Sequence, residues 1–221
     1  MQNASDRRTK SGAVMSSITH LILIRHGQIQ ANVDKRWHGW TDSELTETGL
    51  LQAERVAQRI AREHPDVTAI YASPLKRTYK TAENIARLLD LDIIEEPQIK
   101  EYGIGVLEGE RFSDLHKTHA FFEQVEADPL YAPQAGESIS QVGCRVRTAL
   151  QGFVERHPGE KIVAVSHGAA MALGLAGLLD DGDWYAWNKY HFMNTSITEL
   201  TIASDANTLV RLNCTEHLEG L

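Results

Sequence analysis

The sequence predicts an α/β fold, a three-layer α/β/α sandwich around a mostly parallel central sheet. Three observations carry that expectation. The runs Leu21–Ile24, Ala69–Ala72 and Ile162–Val165 are short, continuous and apolar, as strands covered on both faces are. Longer segments between them repeat apolar residues at helical spacing. Each run then stops at residues that bear chemistry, in Arg25-His26-Gly27, in Ser73-Pro74-Leu75-Lys76-Arg77 and in Ser166-His167-Gly168. The exposed ends of the strands are where an open α/β sheet places its site.

Taken in order, the first strand leads into a polar and aromatic loop from Gln28 to Ser43. Thr46 then stands as N-cap of a helix carrying Ala53, Val56, Ala57, Ile60 and Ala61 inward, closed by His64-Pro65. A strand over Val67 to Ala72 precedes a helix from Leu75 to Leu89 whose apolar face is Ala82, Ile85, Ala86 and Leu89, and Ile93-Ile94 marks a short strand. Pro97 to Gly109 reads as loop, and Ser113 to Asp128 as one helix covering the sheet edge as a lid. A long helix follows from Glu137 to His157, with Val142, Val146, Leu150, Phe153 and Val154 facing inward and a second His-Pro at its end. After the strand Ile162–Val165 comes a helix from Gly168 to Leu179, and two β-rich runs, Ser196 to Ile202 and Thr208 to Leu212, complete the fold.

The 221 residues suit one α/β domain, read as 18–221, behind a polar N-terminal tail, 1–17, expected to be disordered. That tail lacks the apolar segment of a secretory signal, and Met15 offers a second candidate start. No apolar run approaches the roughly 20 residues that span a bilayer. A net charge of −8 disfavours nucleic acid or an anionic membrane as partner, because the overall field repels polyanions. Cys144 and Cys214 form neither a CxxC nor a zinc spacing, so both read as packing residues of a reduced, cytoplasmic protein.

Two arginines, two histidines and a helix N-terminus at one sheet edge suit a phosphoryl group. Guanidinium forks match phosphate oxygens, and free N–H groups at the start of the Gly168 helix add positive partial charge. Gly27 and Gly168 would let backbone approach the anion. Any one of these residues alone reads better as a structural cap; it is their convergence that points to a site. The common phosphatase nucleophiles are missing. Leu150 stands where a thiol-type enzyme needs arginine after Cys144, Asp90-Leu91-Asp92 lacks the preceding strand and following threonine of an aspartyl-phosphate enzyme, and there is no Walker loop. A histidine is left, since neutral imidazole attacks phosphorus when its other ring nitrogen is held by a carbonyl.

The motifs that carry this reading resemble those of the histidine phosphatase superfamily, which includes cofactor-dependent phosphoglycerate mutases. They run in order through Arg25-His26-Gly27, Asn32, Gly39-Trp40-Thr41-Asp42-Ser43-Glu44-Leu45-Thr46-Glu47, Ser73-Pro74 with Arg77, Glu101 with Gly105, Glu108 and Gly109, Gly136-Glu137-Ser138, Ser166-His167-Gly168, and Asn194 with Ser196-Ile197. The resemblance implies His26 as phosphorylated nucleophile, Arg25, Arg77 and His167 as phosphoryl ligands with Asn32, and Glu101 as proton donor. A leaving alkoxide needs such an acid. Residue type alone ranks Glu101 only modestly above Glu95, Glu96, Glu108 and Glu110, the last two reading as solvated or as loop anchors.

Other histidines have plainer readings. His116 and His119, three apart on a helix, lack a completing carboxylate or thiol and read as a solvated face, so no metal is assigned. His64 and His157 complement helix dipoles at two helix ends. His38, between Trp37 and Trp40, reads as a rim contact or as loop packing. Trp184, Tyr185, Trp187 and Tyr190 read as packing before pocket wall.

The leading expectation is a metal-independent phosphomonoesterase acting on a small phosphorylated metabolite without a cofactor. The runner-up is a phosphoglycerate mutase-type transfer. Against it, only 26 residues lie from Glu110 to Ala135, whereas mutases of this superfamily carry a longer insertion. A non-catalytic phosphate-binding module is the third reading, disfavoured because His26, Glu101, His167 and both arginines are all retained.

Overall fold

A computed structural model describes residues 17–221. The expected disordered tail and the start at Met15 lie, but for residue 17, outside the described residues.

The chain runs β1 (Thr19–Arg25), α1 (Gln30–Val33), α2 (Glu47–Glu63), β2 (Val67–Ala72), α3 (Lys76–Leu89), β3 (Ile93–Glu95), α4 (Phe112–Lys117), α5 (Phe121–Ala127), α6 (Ile139–Arg156), β4 (Lys161–Ser166), α7 (Gly168–Leu179), β5 (Ile197–Ile202) and β6 (Asn207–Cys214). The six strands form one sheet in the order β3-β2-β4-β1-β5-β6. β3, β2, β4 and β1 pair in parallel, and β5 and β6 add an antiparallel margin.

Alternate side chains of the buried strands divide between two cores. Leu21, Leu23, Tyr71, Ile162 and Ala164 pack beneath α6 and α7, while Ile22, Ile24, Ile70, Val163 and Val165 pack against α2 and α3. The apolar runs are thus continuous because both faces are covered, giving the three layers expected.

Local signals hold at most boundaries. The Thr46 hydroxyl accepts from the Gly49 N–H at 3.0 Å and caps α2, and α7 begins at Gly168 as expected. α6 starts two residues later than expected, because Ser138 and Gln141 form a reciprocal capping box there.

Three expectations are corrected. The lid is two short helices rather than one over Ser113–Asp128, since the chain takes a left-handed conformation at Ala120 (φ 45°) between α4 and α5. The loop after β1 contains the single helical turn α1. Cys144 is exposed rather than packed, while Cys214 is half-buried.

Candidate active site

Register brings three strand ends to one place. Arg25 pairs with Ser166 across β1 and β4, and Ala72 pairs with Val165 across β2 and β4, so His26, Ser73 and His167 leave the sheet side by side. The His26 and His167 rings lie 5.3 Å apart, centroid to centroid. Beside them opens a cavity of about 330 Å³ lined by Arg25, His26, Asn32, Glu101 and Gly168 among others.

His26 is buried, and its Nδ1 lies 2.7 Å from the Gly27 carbonyl oxygen. A carbonyl only accepts, so Nδ1 carries the proton and the Nε2 lone pair is left free. Burial, then the Arg77 and Arg25 charges, hold the ring well below the usual imidazole range, which keeps it neutral at physiological pH. The Gly27 N–H donates to Thr81 Oγ1 at 3.0 Å, and that hydroxyl donates to the Arg77 carbonyl at 2.7 Å. Asn194 Nδ2 donates to the His26 carbonyl at 3.0 Å and to Asn32 Oδ1 at 3.1 Å. The Ile29 N–H also donates to Asn32 Oδ1 at 3.1 Å.

His167 is fully buried and its tautomer is likewise fixed. Arg77 Nε–H donates to Nδ1 at 3.2 Å, so Nε2 bears the proton, 2.8 Å from Ser73 Oγ. Burial, with Arg77, His26 and Arg25 behind it, keeps this ring well below its ordinary pKa.

Arg25 donates to the Phe192 carbonyl at 2.6 Å through Nη1, and its buried Nε has no partner among the described residues. Arg77 is placed differently. It is fully buried, does not line the cavity, and gives hydrogen bonds to the carbonyls of His38, Gly39 and Thr41 as well as to His167. Burial pushes it down to about 10, still a cation at neutral pH. In this conformation it ties the 38–41 loop to His167, with one Nη1 hydrogen uncommitted.

Glu101 is the carboxylate at the cavity wall. It sits on the N-terminus of α7, accepting from the Ala170 N–H at 2.8 Å and the Ala169 N–H at 3.3 Å, and also from its neighbour Tyr102 at 2.9 Å. Two of the helix-end donors expected to face an anion therefore belong to Glu101. The Glu101 carbonyl is gripped in turn by Trp40 Nε1 at 2.9 Å and Arg145 Nη2 at 2.8 Å.

Of the other candidate acids, Glu110 is half-buried and its carbonyl accepts from the Trp37 N–H at 2.9 Å. Glu108 accepts from the N–H groups of Gly39, Trp40 and Ile104 and anchors two loops. Glu96 caps the short turn Pro97–Ile99, and Glu95 is exposed.

The glycines differ from expectation. A Cβ on Gly27 would meet the Gly49 carbonyl oxygen at 2.5 Å, so this glycine serves loop packing rather than approach of an anion. A Cβ on Gly168 would lie an ordinary 3.6 Å from Arg25 Nε.

His38 lines the cavity; Tyr190 and Trp187 pack in or against the core as expected and line the cavity as well, and Trp184 packs on Gly143. His64 and His157 do end α2 and α6. His116 stacks on Phe122 at 4.3 Å.

Thr81, Arg145 and Arg36 are not among the residues that the sequence singles out, and Asn194 is there only as a motif residue without an assigned role. Thr81 carried a signal, as a threonine one turn after Arg77 on the apolar side of α3. Arg145 carried none, because its reach back to the loop before Glu101 is purely tertiary.

A model of the histidine phosphatase superfamily (branch 1) matches residues 21–215. Phosphoserine phosphatase 1 of Hydrogenobacter thermophilus is 35% identical over 200 residues, covering 90% of this chain and 93% of the relative. A Photorhabdus laumondii protein named "Probable phosphoglycerate mutase GpmB" is 34% identical over 180 residues, 80% of this chain and 82% of the relative. A crystal structure of phosphoserine phosphatase from Entamoeba histolytica in complex with 3-phosphoglyceric acid superposes with a TM-score of 0.81 at 32% identity, covering 90% of this chain and 99% of that one.

Proposed function

The chain belongs to the histidine phosphatase superfamily, and from that membership we propose that it is a phosphoric monoester hydrolase acting through a phosphohistidine on His26. The observation that carries the reading is the state of His26, a neutral ring with Nδ1 tied to Gly27 and Nε2 free beside a cavity that holds Arg25 and a carboxylate.

In the proposed reaction, Nε2 attacks phosphorus in line and the bond to the leaving oxygen breaks as Glu101 gives that oxygen its proton. Arg25, Asn32 and the Gly168 N–H stabilise the charge that gathers on the equatorial oxygens, Arg77 adds its uncommitted Nη1 hydrogen, and His167 joins them by turning its Nε2–H from Ser73 to the phosphoryl group. Water then gives its proton to the Glu101 carboxylate and attacks phosphorus, releasing inorganic phosphate and returning His26 to its starting form. Every step uses groups of this chain, so the reading is of metal-independent chemistry without a cofactor. The substrate is a small phosphorylated metabolite, in keeping with the named phosphoserine phosphatase relatives.

Hydrolysis is favoured over transfer between substrates because the segment over the cavity is only the two short helices α4 and α5. Nucleic acid is not the partner, given the net charge of −8. Among the described residues no helix is long and apolar enough to cross a membrane, and we place the protein in the cytoplasm on its two free cysteines.

Release of p-nitrophenol from p-nitrophenyl phosphate in excess EDTA tests the reading. Turnover lost on His26→Ala, with an unchanged circular dichroism spectrum, supports it. A wild-type protein that binds phosphate but releases no product would make it a binding module.

A further inference from the structure

Beyond the phosphoryl end, the cavity extends to α4, α5 and the turn Trp184–Lys189, where its lining includes Trp37, Phe112, Phe122 and Trp187. Its volume is at the low end of cavities that enclose a whole small ligand, so the site holds more than a phosphate. Arg36 belongs to this outer part. Arg59, Arg62, Arg145 and Arg211 each pair with a glutamate, but Arg36 has no carboxylate partner among the described residues. Its one side-chain hydrogen bond goes to the Gly109 carbonyl at 2.7 Å. Arg25, His26, His38, Tyr190 and His191 are the other ionisable side chains of the lining and Glu101 is its only carboxylate, while Asp34, two residues from Arg36, accepts from Gln30 at 2.9 Å. A half-buried cation without a carboxylate partner is costly unless an anion joins it.

The backbone holds Arg36 firmly. Its N–H donates to Ala31 at 2.8 Å, the Trp37 N–H to Glu110 at 2.9 Å and the Phe112 N–H to Lys35 at 3.0 Å. The arginine is thereby laced to the foot of α4, and it faces the same cavity as His26.

We infer that Arg36 receives a second anionic group, a carboxylate or another phosphate, carried by the leaving alcohol of the substrate, whose carbon body lies between Trp37, Phe112, Phe122 and Trp187. This rests on the phosphatase reading above. A guanidinium fork matches either oxyanion bidentately.

The test compares esters that differ only in the second anion, phosphoserine with phosphoethanolamine for a carboxylate, and propanediol bisphosphate with propanediol monophosphate for a phosphate. The wild type should prefer the member that carries the second anionic group, in at least one pair, by about tenfold or more in kcat/KM, mainly through KM. Which pair shows the preference identifies the anion. Arg36→Gln should bring that ratio close to one, and Arg36→Lys should keep part of it, with circular dichroism confirming that both variants fold. Equal rates within both wild-type pairs, or a preference that survives Arg36→Gln, would overturn the subsite. Wild-type cleavage of p-nitrophenyl phosphate in the same series reads the phosphatase function separately; no release from any ester would overturn that function instead.

Discussion

At the scale of single residues, the site works through fixed protonation states. Gly27 sets the His26 tautomer, Arg77 sets that of His167, and burial, with arginine charge behind it, keeps both rings neutral. Glu101 is held by three N–H donors to its carboxylate and by two more to its carbonyl. If this group protonates the leaving oxygen, Glu101→Gln should slow esters of alkyl alcohols far more than p-nitrophenyl phosphate, whose leaving group departs without a proton. Steady-state rates across a leaving-group series check this. Equal slowing across the series would remove Glu101 from proton transfer. The amide retains an oxygen acceptor for the start of α7, so a large loss of stability is not expected.

At the scale of elements, the turn before β5 braces the nucleophile. Thr195, a β-branched residue at φ 53°, is fully buried, and its N–H donates to the Arg25 carbonyl at 3.0 Å. Asn194 ties His26 to Asn32. Asn194→Ala should lower kcat roughly tenfold with a smaller change in KM, and lower stability by about 1 kcal/mol. An unchanged kcat would remove Asn194 from positioning the nucleophile.

The lid offers a separate check. Ala120 is exposed at φ 45° between α4 and α5, so Ala120→Gly should stabilise the protein by roughly 0.5–1 kcal/mol in denaturant unfolding. These two elements also show what the sequence makes legible. β1, β2, β4 and their following helices could be read because apolar runs and caps are local signals, and the convergence of His26, Arg25 and His167 follows from strand order. The break at Ala120 could not be read, because nothing in the helix-forming composition of 113–128 marks a left-handed residue. Nor could the capture of two α7 donors by Glu101, which depends on a loop that Arg145 and Trp40 bring in from distant positions.

At the scale of the whole molecule, two buried imidazoles and a half-buried one couple folding to pH. His26 and His167 are held well below their ordinary range, first by burial and then by arginine charge, and His217 is lowered to about 4 by burial and Arg59. In the unfolded chain each titrates near 6.5, so below about that pH the unfolded state binds protons that the folded state refuses. Stability is therefore full above about pH 6.5 and falls as the pH drops toward 5. Scanning calorimetry should show Tm declining over that window, less steeply in His217→Gln; a Tm flat from pH 7 to about 5 would contradict the assignment of neutral buried rings. The same neutrality leaves His26 nucleophilic, and the central claim is that the phosphoryl group passes through it. The most direct measurement is rapid acid-free quench of the enzyme with a radiolabelled phosphodonor, followed by mapping of the labelled peptide. The account predicts an acid-labile, alkali-stable phosphoryl group on His26 that is absent from His26→Ala. An acid-stable adduct, or label on any other residue, would contradict it.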